Sequence, residues 1–417
     1  MSVNKRRVVI TGAGLITAIG NDLTSNWKAL LEGVSGGGTI TAFDPSRLSV
    51  RLAAEVKNFE PTEYLDRKEV KRTDRFCQFA LAATAQAMEH AGHGDLTKID
   101  ADRFGVVTGS GIGGIGTLEQ QHLVYLEKGP DRVSPFFVPM FISDMAPGLI
   151  SMKYGAKGPN YSIQSACASS AHAIGNAFKL IQRGIAEVMI SGGSESTVTP
   201  LTMAGFASMK ALSSRNEDPT TASRPFDANR DGFVLGEGAG FVILEELEYA
   251  RSRGASIIAE IVGYGLTADA HHMTAPAPEG EGAQRVMRLA LEDAGVQPAD
   301  VDYINAHGTS TPLNDLSETQ AIKKVFGDHA RKLVVSSTKS MTGHTLGAAG
   351  GVEGIVCALV TREGKIPPTI NFSQADPECD LDYSFNKVTE RPVHLALSNS
   401  FGFGGHNVSL AIKRWEE

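Results

Sequence analysis

The chain has 417 residues, of which 42% are hydrophobic and 21% are charged. These proportions are typical of globular proteins and exclude a disordered or fibrous chain. The formal net charge of −8 gives the molecule no overall attraction to nucleic acid or to an anionic membrane, so an acidic partner would need a local basic patch. At roughly 100 to 200 residues per domain, the length suits two domains or two halves of one body.

The N-terminal segment and the cysteines indicate in which cellular compartment the protein is expected. Lys5 to Arg7 precede the apolar run 8–19 as in a signal peptide, but no small-residue cleavage site follows, and we interpret the run as a buried strand. Glu353 interrupts the best candidate for a membrane span, which needs about 18 uncharged residues. The four cysteines form no CxxC pair, which disfavours a disulfide framework or zinc site. We therefore expect a cytoplasmic protein.

Short β-branched segments alternate with helical patterns along the chain. In the first half, strands are predicted at 7–12, 104–109, 187–193 and 240–246, and helices at 76–90 and 171–182. The same alternation starts again after Glu245. Strands are predicted at 256–265, 301–308, 333–339 and 395–402, and a helix near 283–294. The pattern predicts an α/β protein with a largely covered sheet, in two similar packed halves, 1–252 and 253–417.

The segment SACASS places Cys167 between the short run 159–163 and an alanine-rich helix. A thiol at such a turn faces the positive end of the helix dipole, which can lower its pKa from about 8.5 to roughly 3.5 to 7.5. For a cysteine taken alone, an inert buried side chain is the commoner state.

Three further segments follow predicted strands in the second half. NAHGTST contains His307 and KSMTGH ends at His344, and in each a turn can direct an imidazole into a site, although a single histidine is more often structural. In SNSFGFGG (398–405), the exposed N–H groups of a glycine-rich turn could form an oxyanion hole.

SACASS, NAHGTST, KSMTGHTLGAAGGVEG and SNSFGFGG, in this order and at these separations, resemble the β-ketoacyl-[acyl-carrier-protein] synthases, most closely their long-chain type. The resemblance covers essentially the whole chain. It implies the thiolase-like fold, in which two similar α/β halves form a five-layered α-β-α-β-α sandwich, and a homodimer.

The resemblance also implies roles for individual residues. Cys167 would accept the acyl group and form a Cys-His-His triad with His307 and His344, and Phe403 would gate the site and share the oxyanion hole with Cys167. The supporting residues would be Lys339 and Glu353. The substrate contacts would be Ile112, Phe206, Thr274, Thr309, Thr311 and Phe401.

The resemblance implies no cofactor for catalysis, but a monovalent cation, Na⁺ or K⁺, could bind at Asn305, Ala306, Glu353, Ser398 and Asn399. The partners would be acyl- and malonyl-acyl-carrier-protein. The basic residues Lys68, Lys71, Arg72 and Lys210 are candidates for docking this acidic carrier, although such a run is usually a solvated helix face.

The implied reaction is a decarboxylative Claisen condensation of malonyl-carrier-protein with an acyl-enzyme, which makes this chain an acyltransferase. A polyketide ketosynthase shares all four motifs and stays an alternative. Degradative thiolases carry a second cysteine near the C-terminus, short-chain initiating synthases pair Cys and His with Asn, and chain-length factors lack the active cysteine. The residues at these positions disfavour all three.

Two other motifs offer weaker alternatives. The sequence at 109–114 satisfies G-x-G-x-x-G after a strand, but about a hundred residues precede it and only Asp131 lies near the offset of a ribose-binding acid, which disfavours a dinucleotide site. His271 and His272 have no acidic or cysteine partner nearby in sequence, which disfavours a metal site.

Overall fold

Residues 5–417 are described by a computed structural model. The strands are β1 (Val8–Ile16), β2 (Gly38–Thr39), β3 (Leu52–Ala53), β4 (Phe104–Gly109), β5 (Asn160–Ile163), β6 (Val188–Glu195), β7 (Gly238–Glu246), β8 (Ala259–Ala268), β9 (Tyr303–Asn305), β10 (Val334–Ser336), β11 (Lys365–Ile366), β12 (Thr389–Glu390), β13 (Leu395–Gly402) and β14 (His406–Arg414).

The helices are α1 (Leu23–Glu32), α2 (Arg67–Val70), α3 (Arg75–His90), α4 (Ile115–Lys128), α5 (Phe137–Phe141), α6 (Met145–Tyr154), α7 (Ser169–Gln182), α8 (Pro200–Ser208), α9 (Leu247–Ser252), α10 (Glu281–Ala294), α11 (Pro312–Phe326), α12 (Lys339–Thr342) and α13 (Ala349–Glu363). Among the described residues, no helix is long and apolar enough to cross a membrane.

Ten strands form one hydrogen-bonded array in the order β10-β9-β13-β14-β8-β1-β7-β6-β4-β5. The β1–β8 pairing spans only Val8 to Ile10, so the array divides there into two five-stranded sheets. In the first, β5, β4 and β6 are parallel, while β7 and β1 are each antiparallel to their neighbours. In the second, β10, β9 and β13 are parallel, and β14 and β8 are each antiparallel. The two halves therefore share one topology.

The helices complete five layers. α7 and α13 pack against each other between the two sheets, α3 and α6 cover the outer face of the first sheet, and α10 and α11 lie outside the second. α13 is buried from residue 349 to 361, because a helix between two sheets has no solvated face. The predicted thiolase-like α-β-α-β-α sandwich is confirmed. The division at 252 and 253 stays a prediction.

The parallel strands position the site, because their carboxyl ends meet at one edge of each sheet. Cys167 follows β5, and His344 follows β10, which holds the equivalent place in the second half. His307 follows β9, and Phe403 follows β13. β9 and β10 are each shorter than predicted, because β9 leads directly into the turn that carries His307 and β10 leads into helix α12, which precedes His344.

Candidate active site

Cys167, His307 and His344 meet in the interior of the protein. Cys167 lies in the 3₁₀ turn 166–168 between β5 and α7, and Ala166 before it has a left-handed backbone with φ of 51°. The Cys167 sulfur and one nitrogen from each imidazole all lie within 4.8 Å of one another. The imidazole rings are edge to face, with centroids 5.3 Å apart. Each of the three residues is at most 7% exposed.

The thiol of Cys167 is a weaker acid than the sequence analysis predicts. Burial raises its pKa to about 12, although the Lys339 charge and the backbone N–H groups of Phe403 and Cys167 oppose the shift. Desolvation of the thiolate therefore outweighs the stabilising charge and N–H groups around it. The prediction of a lowered pKa was wrong, and a neighbouring base must remove the proton.

His307 and His344 are the groups beside the thiol that can accept its proton. Burial lowers the pKa of His307 and of His344 well below the usual value, and the positive charge of Lys339 lowers both further. Both imidazoles are therefore neutral at pH 7, and each can accept a proton on one nitrogen and donate a hydrogen bond from the other. The Nδ1 atoms of both rings have no hydrogen-bond partner among the described protein atoms.

The Lys339 charge is held by a buried ion pair. Its Nζ donates to Oε1 of Glu353, and each side chain is 2% exposed. Burial raises the pKa of Glu353 to about 7 against the opposing effect of Lys339. The pair joins α12, which follows the β10 turn, to the buried first turn of α13, and so fixes the cation near both histidines.

The glycine-rich turn after β13 lies against the Cys167 turn. The N–H groups of Phe403 and of Cys167 both approach the Cys167 sulfur. A Cβ at Gly402 would lie 2.5 Å from the Ser165 carbonyl oxygen and 3.2 Å from the Cys167 nitrogen, so only glycine allows this approach. Two converging backbone donors beside a nucleophile are the arrangement of an oxyanion hole.

A cavity of about 560 Å³ opens above the three side chains. It brings together the predicted substrate contacts Ile112, Phe206, Thr274, Thr309, Thr311 and Phe401, as well as Phe403 and Lys210. The hydroxyls of Thr309 and Thr311 are 2.9 Å apart, and the Phe401 ring centroid is 5.6 Å from that of His307. Ile112 also lines a second cavity of about 320 Å³.

The remaining basic residues lie outside the cavity lining. Lys68, Lys71 and Arg72 are exposed on and after the short helix α2, and the Arg72 guanidinium stands 4.7 Å from the Phe136 ring centroid. Lys210 is exposed at the cavity wall. The structure thus places one of the four predicted docking residues at the cavity.

The predicted cation ligands lie where β9 pairs with β13. Asn305 and Ser398 are register partners, and Oδ1 of Asn305, Oγ of Ser398 and Oε2 of Glu353 are buried without a hydrogen-bond partner among the described atoms. The Asn399 amide instead donates to Glu318 and accepts from Ser409. Unpartnered buried oxygens are the donors that a hard cation binds.

Two buried acids beside the site have no signal in the sequence. Glu318 on α11 accepts the N–H groups of His307 and Gly308, each at 2.9 Å, and burial raises its pKa to about 7. Glu195 at the end of β6 binds the loop after β4. Both contacts depend on the fold, and neither acid stands in a recognisable motif.

The two weaker alternatives find no support in these contacts. In the G-x-G-x-x-G loop, the N–H groups of Gly111 and Ile112 donate to Glu195, so these donors are not available to a phosphate. His272 Nδ1 accepts the N–H groups of Thr274 and Ala275. In the described part of the chain, the only group of three His, Cys or acidic residues with metal-ligand spacing is that of Cys167, His307 and His344.

The comparisons with known proteins agree with this geometry. The chain matches the family models "Beta-ketoacyl synthase, N-terminal domain" over residues 5–250 and "Beta-ketoacyl synthase, C-terminal domain" over 258–373. It is 55% identical to 3-oxoacyl-[acyl-carrier-protein] synthase 2 of Synechocystis sp. and 54% identical to that of Staphylococcus aureus strain COL, covering 100% of each chain.

Solved structures show the same fold. A β-ketoacyl synthase from Burkholderia phymatum superposes with a TM-score of 0.92 at 36% identity, and the ishigamide ketosynthase/chain length factor with 0.93 at 34%; each match covers 99% of this chain and 100% of the other. A type II polyketide ketosynthase in complex with its acyl-carrier protein superposes with a TM-score of 0.92 at 35% identity over the same shares. This chain belongs to the β-ketoacyl synthase family.

Proposed function

We propose that this enzyme elongates fatty acyl chains by two carbons, as a 3-oxoacyl-[acyl-carrier-protein] synthase. The observation that carries the proposal is the buried thiol with two neutral imidazoles at the base of a 560 Å³ cavity. Two full-length relatives above 50% identity carry the name of this activity, which supports the fatty-acid reaction.

In the first half-reaction, the acyl group moves from the carrier protein to Cys167. A neutral imidazole accepts the thiol proton, and the sulfur attacks the thioester carbonyl. The N–H groups of Cys167 and Phe403 stabilise the tetrahedral oxyanion. The carbon bond to the carrier sulfur then breaks, and the leaving thiolate takes the proton from the imidazolium.

In the second half-reaction, malonyl-carrier-protein binds beside the acyl-enzyme. N–H groups of His307 and His344 donate to its thioester carbonyl oxygen, so that the enolate formed as the bond to carbon dioxide breaks is stabilised. The α-carbon attacks the acyl carbonyl, and the bond to the Cys167 sulfur breaks. The products are a 3-oxoacyl thioester and carbon dioxide, and a solvent proton restores the thiol.

Lys339 has an electrostatic role in this scheme. Its cation disfavours protonation of either imidazole, which keeps both rings as neutral donors for the enolate. Glu353 holds the cation in place and offsets its charge in the protein interior.

The group formed by Asn305, Ala306, Glu353, Ser398 and Asn399 fits a monovalent cation. The three unpartnered oxygens support this proposal, and a Na⁺ or K⁺ there would bind Asn305, Ser398 and Glu353 and link β9, β13 and α13. The ion would be structural, because the reaction needs no metal or redox cofactor.

Two copies of the chain would pair through β5. This strand is the edge of the first sheet, and its Tyr161 is 38% exposed. Pairing of β5 with its copy would satisfy the free backbone groups of an edge strand. An acyl-carrier-protein partner also agrees with the neighbour solved in complex with its carrier.

A polyketide ketosynthase is the second candidate, because two of the structural neighbours are named as polyketide or chain-length-factor assemblies. Extension assays with malonyl-carrier-protein and saturated fatty acyl-carrier primers separate the two. A single two-carbon extension of saturated primers to 3-oxoacyl products supports the proposal, whereas extension of polyketonic primers alone contradicts it.

A further inference from the structure

Glu195 is a buried carboxylate outside the catalytic group. It is the last residue of β6, which lies between β7 and β4, and it is 0% exposed. The cavity wall does not include it. The reaction steps therefore give this buried carboxylate no role. Burying a charge is costly unless hydrogen bonds compensate the lost water, so its presence needs another explanation.

Its carboxylate accepts four hydrogen bonds from two loops. Oε2 accepts the N–H groups of Gly111 at 2.6 Å and Gly347 at 2.9 Å, and Oε1 accepts the N–H of Ile112 at 3.2 Å and the hydroxyl of Ser110 at 3.1 Å. One side chain thus bonds the loop after β4 to the turn that follows His344.

The two loops approach so closely that only glycine fits between them. A Cβ at Gly347 would lie 2.2 Å from the Gly111 nitrogen and 2.6 Å from Oε2 of Glu195. Leu346 beside it has a left-handed backbone with φ of 46°, a conformation that persists only where surrounding contacts hold it. The hydrogen bond from Gly347 is one such contact.

The same loops carry apolar walls of the substrate cavity. Ile112 and Leu346 both line the cavity and pack in one cluster with Cys167. The Glu195 carboxylate, which lies between the backbones of the two loops, therefore fixes the separation of these two walls. The nest of N–H groups in the G-x-G-x-x-G loop, which in other proteins binds a phosphate, here binds an anion of the protein itself.

We infer that Glu195 is a positioning residue that sets the distance between Ile112 and Leu346 and so determines which acyl chain lengths the cavity accepts. This inference rests on the proposed function, because it assigns a specificity role within that reaction. Glu195 touches no reacting atom, and its effect passes through the loop backbones.

The test is Glu195→Gln, which keeps the side-chain size but replaces one acceptor oxygen with an NH₂ group that faces backbone donors. The ratio of kcat/KM for hexanoyl- and palmitoyl-carrier primers should change by about tenfold, the scale of one hydrogen bond to a charged group. Backbone amide exchange should accelerate in peptides that cover 110–113 and 346–348.

Glu237→Gln is the matched control. Glu237 is also a buried acid, 5% exposed, that accepts from Val56, Arg75 and Ser196, but it lines no part of the substrate cavity. Glu237→Gln should leave the primer ratio unchanged even if the substitution lowers the stability of the protein. If Glu195→Gln folds poorly, Ser110→Ala removes one donor to Glu195, together with the acceptor of the Gly113 N–H, and should shift the ratio in the same direction by a smaller factor.

An unchanged primer ratio in folded Glu195→Gln and in Ser110→Ala would overturn the inference. An equal shift in Glu237→Gln would also overturn it, because the effect would then be general loss of stability. If the wild-type enzyme extends no fatty acyl primer, the proposed function fails instead, whereas amide exchange at the two loops still reports whether Glu195 holds them.

Discussion

His307 and His344 meet edge to face, with ring planes at 84° and centroids 5.3 Å apart, although one follows β9 and the other β10. Both are neutral donors beside one sulfur, so we expect the two half-reactions to be separable by substitution. Acyl transfer needs the thiol and one imidazole as its base, whereas enolate formation needs the hydrogen bonds of both imidazoles but not the thiol.

The first prediction concerns Cys167→Gln and His344→Ala. Cys167→Gln should accept no acyl label but should still release carbon dioxide from malonyl-carrier-protein, because the histidine donors stay in place. His344→Ala should lose decarboxylation by a factor on the order of 10² to 10³, the effect of removing one oxyanion-type donor, while Cys167 still takes some label. The measurement pairs trapped acyl label with carbon dioxide release.

His122→Ala, at an exposed position on α4, is the control and should retain both activities. Acyl label on Cys167→Gln, or decarboxylation at the native rate by folded His344→Ala, would show that the proposed roles are wrong.

The second prediction concerns Ile112, which lines both cavities. Ile112→Phe should fill part of the substrate cavity and lower kcat/KM for palmitoleoyl primers far more than for hexanoyl primers, since a larger side chain in packed surroundings cannot relax fully. Ile185→Phe, at a site that is 47% exposed, should leave the profile unchanged. A profile that is flat from hexanoyl to palmitoleoyl in Ile112→Phe would contradict the assignment.

Strand positions followed directly from the sequence where β-branched runs are uninterrupted. β4 and β13 occupy the predicted residues 104–109 and 395–402. Helices α11 and α13 were not predicted. α13 is buried on all sides and so has no amphipathic period, while α11 buries polar residues such as Asp315 and Glu318, which break the apolar pattern.

The candidate site was only partly accessible from sequence. The resemblance placed Cys167, His307 and His344, and the fold brings them together. Glu195 could not be found in this way, because its partner Gly347 is 152 residues away in the chain. The pKa of Cys167 was predicted in the wrong direction, since burial depends on tertiary packing that the local turn does not reveal.

The third prediction concerns carrier docking. Reversal of Lys68, Lys71 and Arg72 to Glu should raise KM for carrier-bound substrates. The effect should depend steeply on salt, because dissolved ions screen the attraction between exposed charges. Small thioester mimics should react at the native rate. Reversal of Lys28, Lys98 and Lys332, which are also exposed, changes the net charge equally and should leave KM unchanged. Equal losses with mimics and carrier substrates would indicate damaged folding instead.

The fourth prediction follows from the pKa of about 12 for Cys167. Because this pKa is raised, the thiol is protonated at pH 7, and alkylation of the free enzyme by iodoacetamide should accelerate about tenfold for each pH unit from 7 to 9 as the thiolate fraction grows. Mass spectrometry of the Cys167 peptide follows the rate. A plateau below pH 8 would show instead that the thiolate is already formed.

The fifth prediction concerns the pH dependence of stability at Glu195. Burial raises its folded-state pKa from the ordinary 4.5 to about 6, so the native state binds more protons than the unfolded chain between these values. The protonated carboxyl therefore favours folding fully below pH 4.5, and this contribution is lost as the pH rises through 6. The loss is about 2 kcal/mol, at 1.36 kcal/mol for each pKa unit.

Glu195→Gln has no carboxyl proton to release at this site. Because the other carboxyl groups are the same in both proteins, their contributions to the pH dependence of stability cancel when the variant is compared with the wild type. Urea unfolding at pH 4 and pH 7 should therefore show the free energy of unfolding of the wild type, relative to the variant, falling by about 2 kcal/mol as the pH rises. Glu32→Gln, at an exposed position, serves as the control and should show a far smaller change. A relative stability that instead rises with pH would mean that the four hydrogen bonds to the carboxylate outweigh its desolvation, and that Glu195 is ionised in the folded protein well below pH 6.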